Sequence, residues 1–471
     1  MYPDWVTKHR RPGTNISKIG GKYYLYEISS VWDKEKKRAR KITKGYLGRI
    51  TEEGFVPKKT KTPPLPPVNP TVKNYGEAIV AEGVGADILE RLRSHFPELA
   101  ETIYAVAVLR LLHNHPFKRL ENEYEHSYLS EIYKNLNLSG KSMTELLRRL
   151  GNSREKLVEF MKSFVTAADH LLFDGTAIIS KSEKMEINNI GYNAHRQYDP
   201  QVNLLYAFSS EMKAPVYYRV LAGNVRDVSA FKLCVKESGI KGVTVIADKG
   251  FGSKENFEML EKTELKYIVP LRRNSEAYLN TKFESGNKAD FDGYFLFNSR
   301  PIWYYSNNGV FYYLDSDLKT REEKDYIERI EKKLEGYSTQ GFLEKQFKFG
   351  TIALKSNLQL PPKEVYCRYK ERGQIEQTFD FLKNLLEQDK SYMQSQNSME
   401  GWAFINHISL LLCYKLYNLL REKDLLSKFS VPDFISHLKY IHKVKISDVW
   451  STSEISKKTA KFLSLLQFHI T

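Results

Sequence analysis

Cysteine is scarce in this chain: Cys234, Cys367 and Cys413 are the only three in 471 residues, far apart and without paired spacing. That excludes a disulfide framework and a cysteine-rich zinc site, and it fits a reducing compartment. Uninterrupted hydrophobic runs are missing too. The most apolar stretch, Trp402 to Leu420, carries Asn406, His407, Lys415 and Asn418, so it reads as a buried helix and not as a membrane span. The opening MYPDWVTKHRRPG has no apolar centre of the signal-peptide kind, which makes a cytoplasmic location the expectation. Gly250 and Gly252 in KGFG are read as a turn, and no Walker-type loop follows that would cradle ATP.

Positive charge, by contrast, is plentiful and unevenly placed. The net charge is +15, and 17 basic against 6 acidic residues through Lys73 put +11 of it in the first 73 positions. A polyanionic partner is therefore expected, engaged mainly from the N-terminal side. Lys36, Lys37, Arg38, Arg40 and Lys41, with Tyr23, Tyr24, Tyr26, Trp32 and Tyr46 around them, are the candidate DNA contacts.

At roughly 100–200 residues per domain the chain is multi-domain, and 41% apolar residues supply a core. Residues 1–59 read as a basic, strand-rich module, because two β-branched and aromatic runs flank a charged turn. Five prolines between Thr60 and Pro70 make 60–74 an extended linker. Apolar residues at i, i+3, i+4 spacing make 75–168 a helical domain, expected to bind DNA. Over 169–273 the period shortens to strand, strand, strand, helix, strand, helix, strand, a mixed α/β sheet of the ribonuclease H type in its element order. Residues 274–349 form an insertion subdomain of aromatic strands and one charged helix. The sheet domain resumes over 350–425, and 426–471 reads as a helical segment.

Two aspartates stand where such a sheet would open a crevice. Asp174 lies inside LLFDGT and Asp248 ends VTVIADKGF. A carboxylate amid an apolar strand is costly unless something neutralises it, although Asp-Gly is also a common turn signal. In YKERGQIEQTFDFLK, one continuous helix would place Tyr369, Arg372, Glu376 and Lys383 within an arc of about 60°. Ile375, Phe379, Leu382 and Leu386 would form the adjoining apolar stripe. Glu376 could then reach the aspartates, or it could simply pair with Arg372 at i,i+4. His113, His115 and His126 lie in a helical pattern and read as surface or packing residues.

The order Asp174, Asp248 followed by Lys-Gly-Phe, and a Tyr-x2-Arg-x3-Glu-x6-Lys segment resembles the DDE transposases of bacterial insertion sequences that carry the YREK signature. The resemblance spans about residues 75–420. It implies a ribonuclease H-like catalytic domain with Asp174, Asp248 and Glu376 as catalytic metal ligands. Tyr369, Arg372 and Lys383 would contact the DNA end. Three carboxylates without a Cys or His set favour Mg²⁺ or Mn²⁺, with two ions expected, able to assist in-line phosphoryl displacement. Implied partners are the element's inverted-repeat ends, target DNA and a second copy of the chain in the DNA complex, within the nucleoid and away from membranes. A nuclease that does not join ends, and a non-catalytic DNA binder, stay open. Trp303, in the insertion, is read as a buried strand residue.

Overall fold

The computed structural model describes residues 1–59, 69–166, 169–192, 198–225, 227–279 and 281–468. It divides into two units, Met1–Asn69 and Pro70–Thr471. Most of the proline-rich linker lies outside the described residues.

In the first unit, the aromatic and β-branched runs build an antiparallel sheet of β1 (Thr14–Ile19), β2 (Lys22–Asp33), β3 (Arg38–Thr51) and β4 (Gly54–Pro57). Alternation puts Tyr23 and Leu25 inward, where they meet Ile16, Ile50 and Val6 in a small core. Gly48 is required there, since a Cβ would lie 2.3 Å from the Val56 carbonyl oxygen.

The second unit begins with β5 (Thr71–Asn74), so the end of the expected linker is itself a strand. Helices follow from Gly76 to Lys162 and pack around one long helix, Gln396–Glu422. That helix is fully sequestered from Trp402 to Tyr414, which accounts for the apolar stretch there. No helix among the described residues is long and apolar enough to cross a membrane. Two glycines allow its close crossing with the helix Gly140–Gly151. A Cβ at Gly401 would sit 2.0 Å from the Leu147 carbonyl oxygen, and one at Gly151 would sit 1.9 Å from that of Asn397.

The large mixed sheet uses β6 (His170–Ser180), β7 (Asn189–Tyr192), β8 (Tyr198–Ser209), β9 (Ala214–Ala222), β10 (Thr244–Ala247), β11 (Lys266–Pro270), β12 (Gly293–Phe297), β13 (Arg300–Asn307), β14 (Val310–Asp315), β15 (Thr351–Ser356) and the two-residue β16 (Lys390–Ser391). Its order is β12-β13-β14-β15-β11-β10-β6-β8-β7, with β9 also on β8 and β16 on β6. β6, β10 and β11 run parallel at the centre, and their apolar runs are buried on both faces. The chain is thus a multi-domain α/β protein with a mixed sheet. The strands of the insertion continue that sheet directly, since β14 pairs with β15.

After Arg421 the structure departs from the helical expectation. A capped helix, Val431–Leu438, leads into a hairpin of β17 (His442–Ile446) and β18 (Val449–Thr452), which joins β5 in a three-stranded sheet. Its two-residue turn, Ser447 and Asp448, has both residues at positive φ, the geometry that matches strand twist in tight hairpins. The Lys-rich strands obscure the β pattern in the sequence.

Candidate active site

The register of β6 and β10 brings the two aspartates together. Ala247 pairs with Phe173, so Asp248, the first residue after β10, emerges beside Asp174. Asp174 is half-buried, and one of its oxygens accepts a 2.8 Å hydrogen bond from the Gly175 amide. Asp248 opens the turn Lys249–Phe251 at the end of its strand, the place where crevices form in open α/β sheets.

Glu376 arrives on the helix Gly373–Asp380, whose Ile375 is fully buried and whose Thr378 hydroxyl lies 2.8 Å from the Tyr414 hydroxyl of the long helix. Its own side chain is 65% exposed, so the apolar face fixes the helix while the carboxylate reaches solvent. Leu382 and Leu386 are buried as the sequence suggested.

The signature segment is not one continuous helix. A first helix, Pro362–Lys370, ends in a turn at Glu371 and Arg372, the second begins at Gly373, and Phe381–Leu385 wind as a π-turn. The single arc expected for Tyr369, Arg372, Glu376 and Lys383 is therefore broken twice, because each change of winding alters the angular spacing. Lys383 sits in the π-turn, where burial lowers its ammonium pKa and the charge of Asp389 opposes that effect.

Arg372 is the centre of what does assemble. Its guanidinium lies 3.1 Å from Asp174 Oδ2, 3.8 Å from Asp248 Oδ1 and 3.3 Å from Glu376 Oε1. Burial acts against its charge, but Asp248, Tyr369, Asp174 and Glu376 outweigh it and raise its pKa. The i,i+4 pair with Glu376 is thus present together with the reach to both strands. Among the described residues no three or more His, Cys, Asp or Glu side chains are grouped closely enough to hold a metal ion. The donor chemistry still suits a hard divalent cation: three carboxylates converge on one positive charge, and oxygen is the only ligand type they offer.

Beside Asp248 opens a cavity of about 720 Å³ lined by Lys249, Arg272, Arg273, Tyr278 and Tyr369, among others. Burial raises the Tyr369 pKa. Arg273 is anchored, donating to the Thr351 carbonyl at 2.9 Å and pairing with Glu322 at 3.0 Å, whereas Arg272 is exposed. The sequence signal for these cations is the pair of arginines just past the strand KYIVP. Trp303 is half-buried on β13, its ring 5.2 Å from that of Tyr294, with Lys288 above it. His113 and His115 share the Glu123 carboxylate, and His113 also meets buried Glu77 at 2.6 Å. Lys36, Lys37, Arg38, Arg40 and Lys41 are all exposed on the first unit.

Residues 166–412, more than half of the chain, match the family model of the transposase DDE domain. The chain therefore belongs to that family and is a DDE transposase, a class that generally uses divalent metal ions. No curated protein matches the chain. Among solved structures, the cryo-EM structure of the piggyBac transposase synaptic complex with hairpin DNA is similar at 12% identity and a TM-score of 0.38, over 72% of this chain and 70% of that one.

Proposed function

We propose that this DDE transposase serves a bacterial insertion sequence of the YREK subgroup, binding the inverted-repeat ends of its element, hydrolysing the strand at the end and joining the 3′-hydroxyl to target DNA. The observation that carries this reading is the meeting of Asp174, Asp248 and Glu376, from two adjacent parallel strands and a helix, at one guanidinium. On this reading the sheet over 169–273 and 350–425 is a ribonuclease H-like catalytic domain with 274–349 as its insertion subdomain. The helices of 75–168 and the module of 1–59 bind DNA, and the protein works in the cytoplasm on nucleoid DNA, as a homodimer on paired ends.

Asp174, Asp248 and Glu376 are the residues that would hold Mg²⁺ or Mn²⁺. Two such ions supply activation of the attacking oxygen and stabilisation of the leaving one. The chain's own contribution is positional. Asp174 is fixed within the strand ladder and Asp248 at the end of its strand, while Glu376 approaches from the exposed side of its helix. Arg372, Tyr369 and Lys383 engage phosphates of the DNA end, so that a guanidinium now held by carboxylates has a competing anion to move to.

The test is incubation of the full chain with duplexes carrying the DNA that flanks its own reading frame, with Mg²⁺ and a target plasmid. Cleavage at the element boundary followed by covalent joining supports the reading. Cleavage without joining leaves a nuclease, and binding without cleavage leaves a DNA-binding protein.

A further inference from the structure

The first unit carries an arm. β2 and β3 contribute Tyr23, Leu25 and Ile50 to the core near one end of their ladder, but none of the six pairs from Ile28↔Thr43 to Asp33↔Arg38 contains a buried residue. At about 3.4 Å per residue this two-stranded stretch extends roughly 20 Å. Register shifts at Leu25/Tyr26 and Glu27/Ile28 mark where it leaves the sheet, and such bulges bend and twist a strand pair. The tip is fixed: Asp33 Oδ1 accepts from the amides of Glu35 at 3.1 Å and Lys36 at 3.0 Å, and Lys37 closes the turn at φ 43°.

An isolated two-stranded ribbon is marginally stable in water. This one also leaves Val31, Trp32 and Ile42 exposed by 51%, 63% and 43%. Lys34, Lys36, Lys37, Arg38, Arg40, Lys41 and Lys44 crowd along it, and none of them forms an ion pair among the described residues. Pairing sets two faces. Arg38, Arg40, Val31 and Ile42 share one, and Trp32 and Lys41 share the other.

We propose that this arm is a DNA-reading ribbon that lies in the major groove of the element's end, with the Arg38 and Arg40 face on the base edges. The assignment rests on the reading of the chain as an end-binding transposase and adds the element and the face that do the binding. The major groove, about 12 Å wide, admits a two-stranded ribbon. Arginine forks fit guanine edges, and β-branched side chains such as Val31 and Ile42 fit thymine methyl groups. Lys36 and Lys37 at the tip, and Lys41 on the outer face with Trp32, are left for the flanking phosphates and sugars.

The experiment uses the full chain without divalent metal, titrated with a duplex from the DNA bordering its reading frame and with a scrambled duplex of equal composition. Because the arm side chains are unburied, the variants should keep the parent's circular dichroism and melting temperature. The double variant Arg38→Ala/Arg40→Ala should lose roughly tenfold or more on the end duplex and much less on the scrambled one. Lys36→Ala/Lys37→Ala should weaken both alike and lower the salt slope by about 1.8. Tryptophan emission should change on adding end duplex, and Trp32→Phe should remove that change. Variants that bind both duplexes as the parent does, while the parent still cleaves ends with Mg²⁺, would overturn the arm and leave the transposase standing. A parent that binds neither duplex, but does bind anionic vesicles, would overturn both.

Discussion

Arg372 donates its hydrogen bond to Asp174 across the gap between helix and sheet, at 3.1 Å, with the charge of Asp248 a further contact away. On the proposed reading the guanidinium holds the carboxylates that metal ions would need, so cation and arginine compete. A unit charge pair at about 4 Å is worth ~1 kcal/mol in water and ~4 at an effective dielectric of 20. Removing Arg372 should therefore favour metal binding before DNA arrives. Arg372→Ala, titrated with Mn²⁺ by calorimetry in the absence of DNA, should bind about tenfold more tightly than the parent, even though its end cleavage falls. An unchanged Mn²⁺ affinity would show that Arg372 does not occupy the cation's place.

Asp174→Asn, Asp248→Asn and Glu376→Gln should each abolish Mg²⁺-dependent cleavage while leaving end binding within a few-fold of the parent. Each keeps its shape and loses only its charge, and none of the three side chains is fully buried, so melting temperatures should move little. Near-normal cleavage by any one of them would remove that residue from the site.

His407 offers a prediction about pH. It is fully buried against Tyr206 and Tyr218, with neither ring nitrogen hydrogen-bonded among the described residues, and burial, aided by the charge of Arg154, pushes its pKa down to about 3. The folded state thus keeps the ring neutral while the unfolded chain protonates it near pH 6.5. The contribution is present above that pH and is lost as the pH falls from about 6.5 towards 3, at about 1.4 kcal/mol per unit. Between pH 7 and pH 5 the loss should be about 2 kcal/mol. His407→Phe should remove that part of the acid sensitivity, read as the difference in urea midpoints at the two pH values. Equal sensitivity in both proteins would place the acid response elsewhere.

Arg154 lies among Glu237 at 2.7 Å, Glu400 at 3.3 Å and the Tyr218 carbonyl at 2.9 Å, tying the helix Arg154–Lys162 to the sheet. Its removal leaves Glu400 in poor solvent contact without its cation, while Glu237 keeps its pair with Arg219, and breaking such a pair costs roughly 3–5 kcal/mol when fully buried. With side chains 10–22% exposed here, Arg154→Ala should cost about 2–4 kcal/mol by denaturant unfolding. A cost below about 1 kcal/mol would mean that water solvates Glu400, and Arg219 holds Glu237, well enough without it.

Gly401→Ala and Gly151→Ala test the helix crossing. Each added methyl meets backbone, which cannot swing away as a side chain can. Each variant should lose about 1–3 kcal/mol, and the pair should be less than additive because both push the same two helices apart. Full additivity would argue for two independent contacts.

The sequence reveals those features whose cause is local. Apolar runs with Gly or Pro at their ends are found as β6, β8, β9, β10 and β11, and Asp174 and Asp248 lie where those runs place them. Glu376 was reachable from helical spacing over the short distance from Arg372, which survives as an i,i+4 pair. Spacing failed over the longer distance to Lys383, because winding changed in between. The bridging by Arg372 was hidden for a different reason: 198 residues separate it from Asp174, and only the register of β6 against β10 brings the second aspartate alongside. The β17–β18 hairpin escaped because its Lys-rich alternation looks like solvated polar chain until β5 supplies a partner strand.

The unbroken ladder from β12 to β7 has a mechanical consequence. A hinged flap needs a joint whose bonds can turn, but β14 and β15 are stitched by five consecutive pairs and β15 is stitched in turn to β11. Tilting β12, β13 and β14 away from the carboxylates would shear that seam. The β-rich part of 274–349 is therefore held rigidly to the strands that carry the aspartates, and on the reading proposed above, clearance for a duplex has to come from side chains such as Arg272 or from movement of the DNA itself.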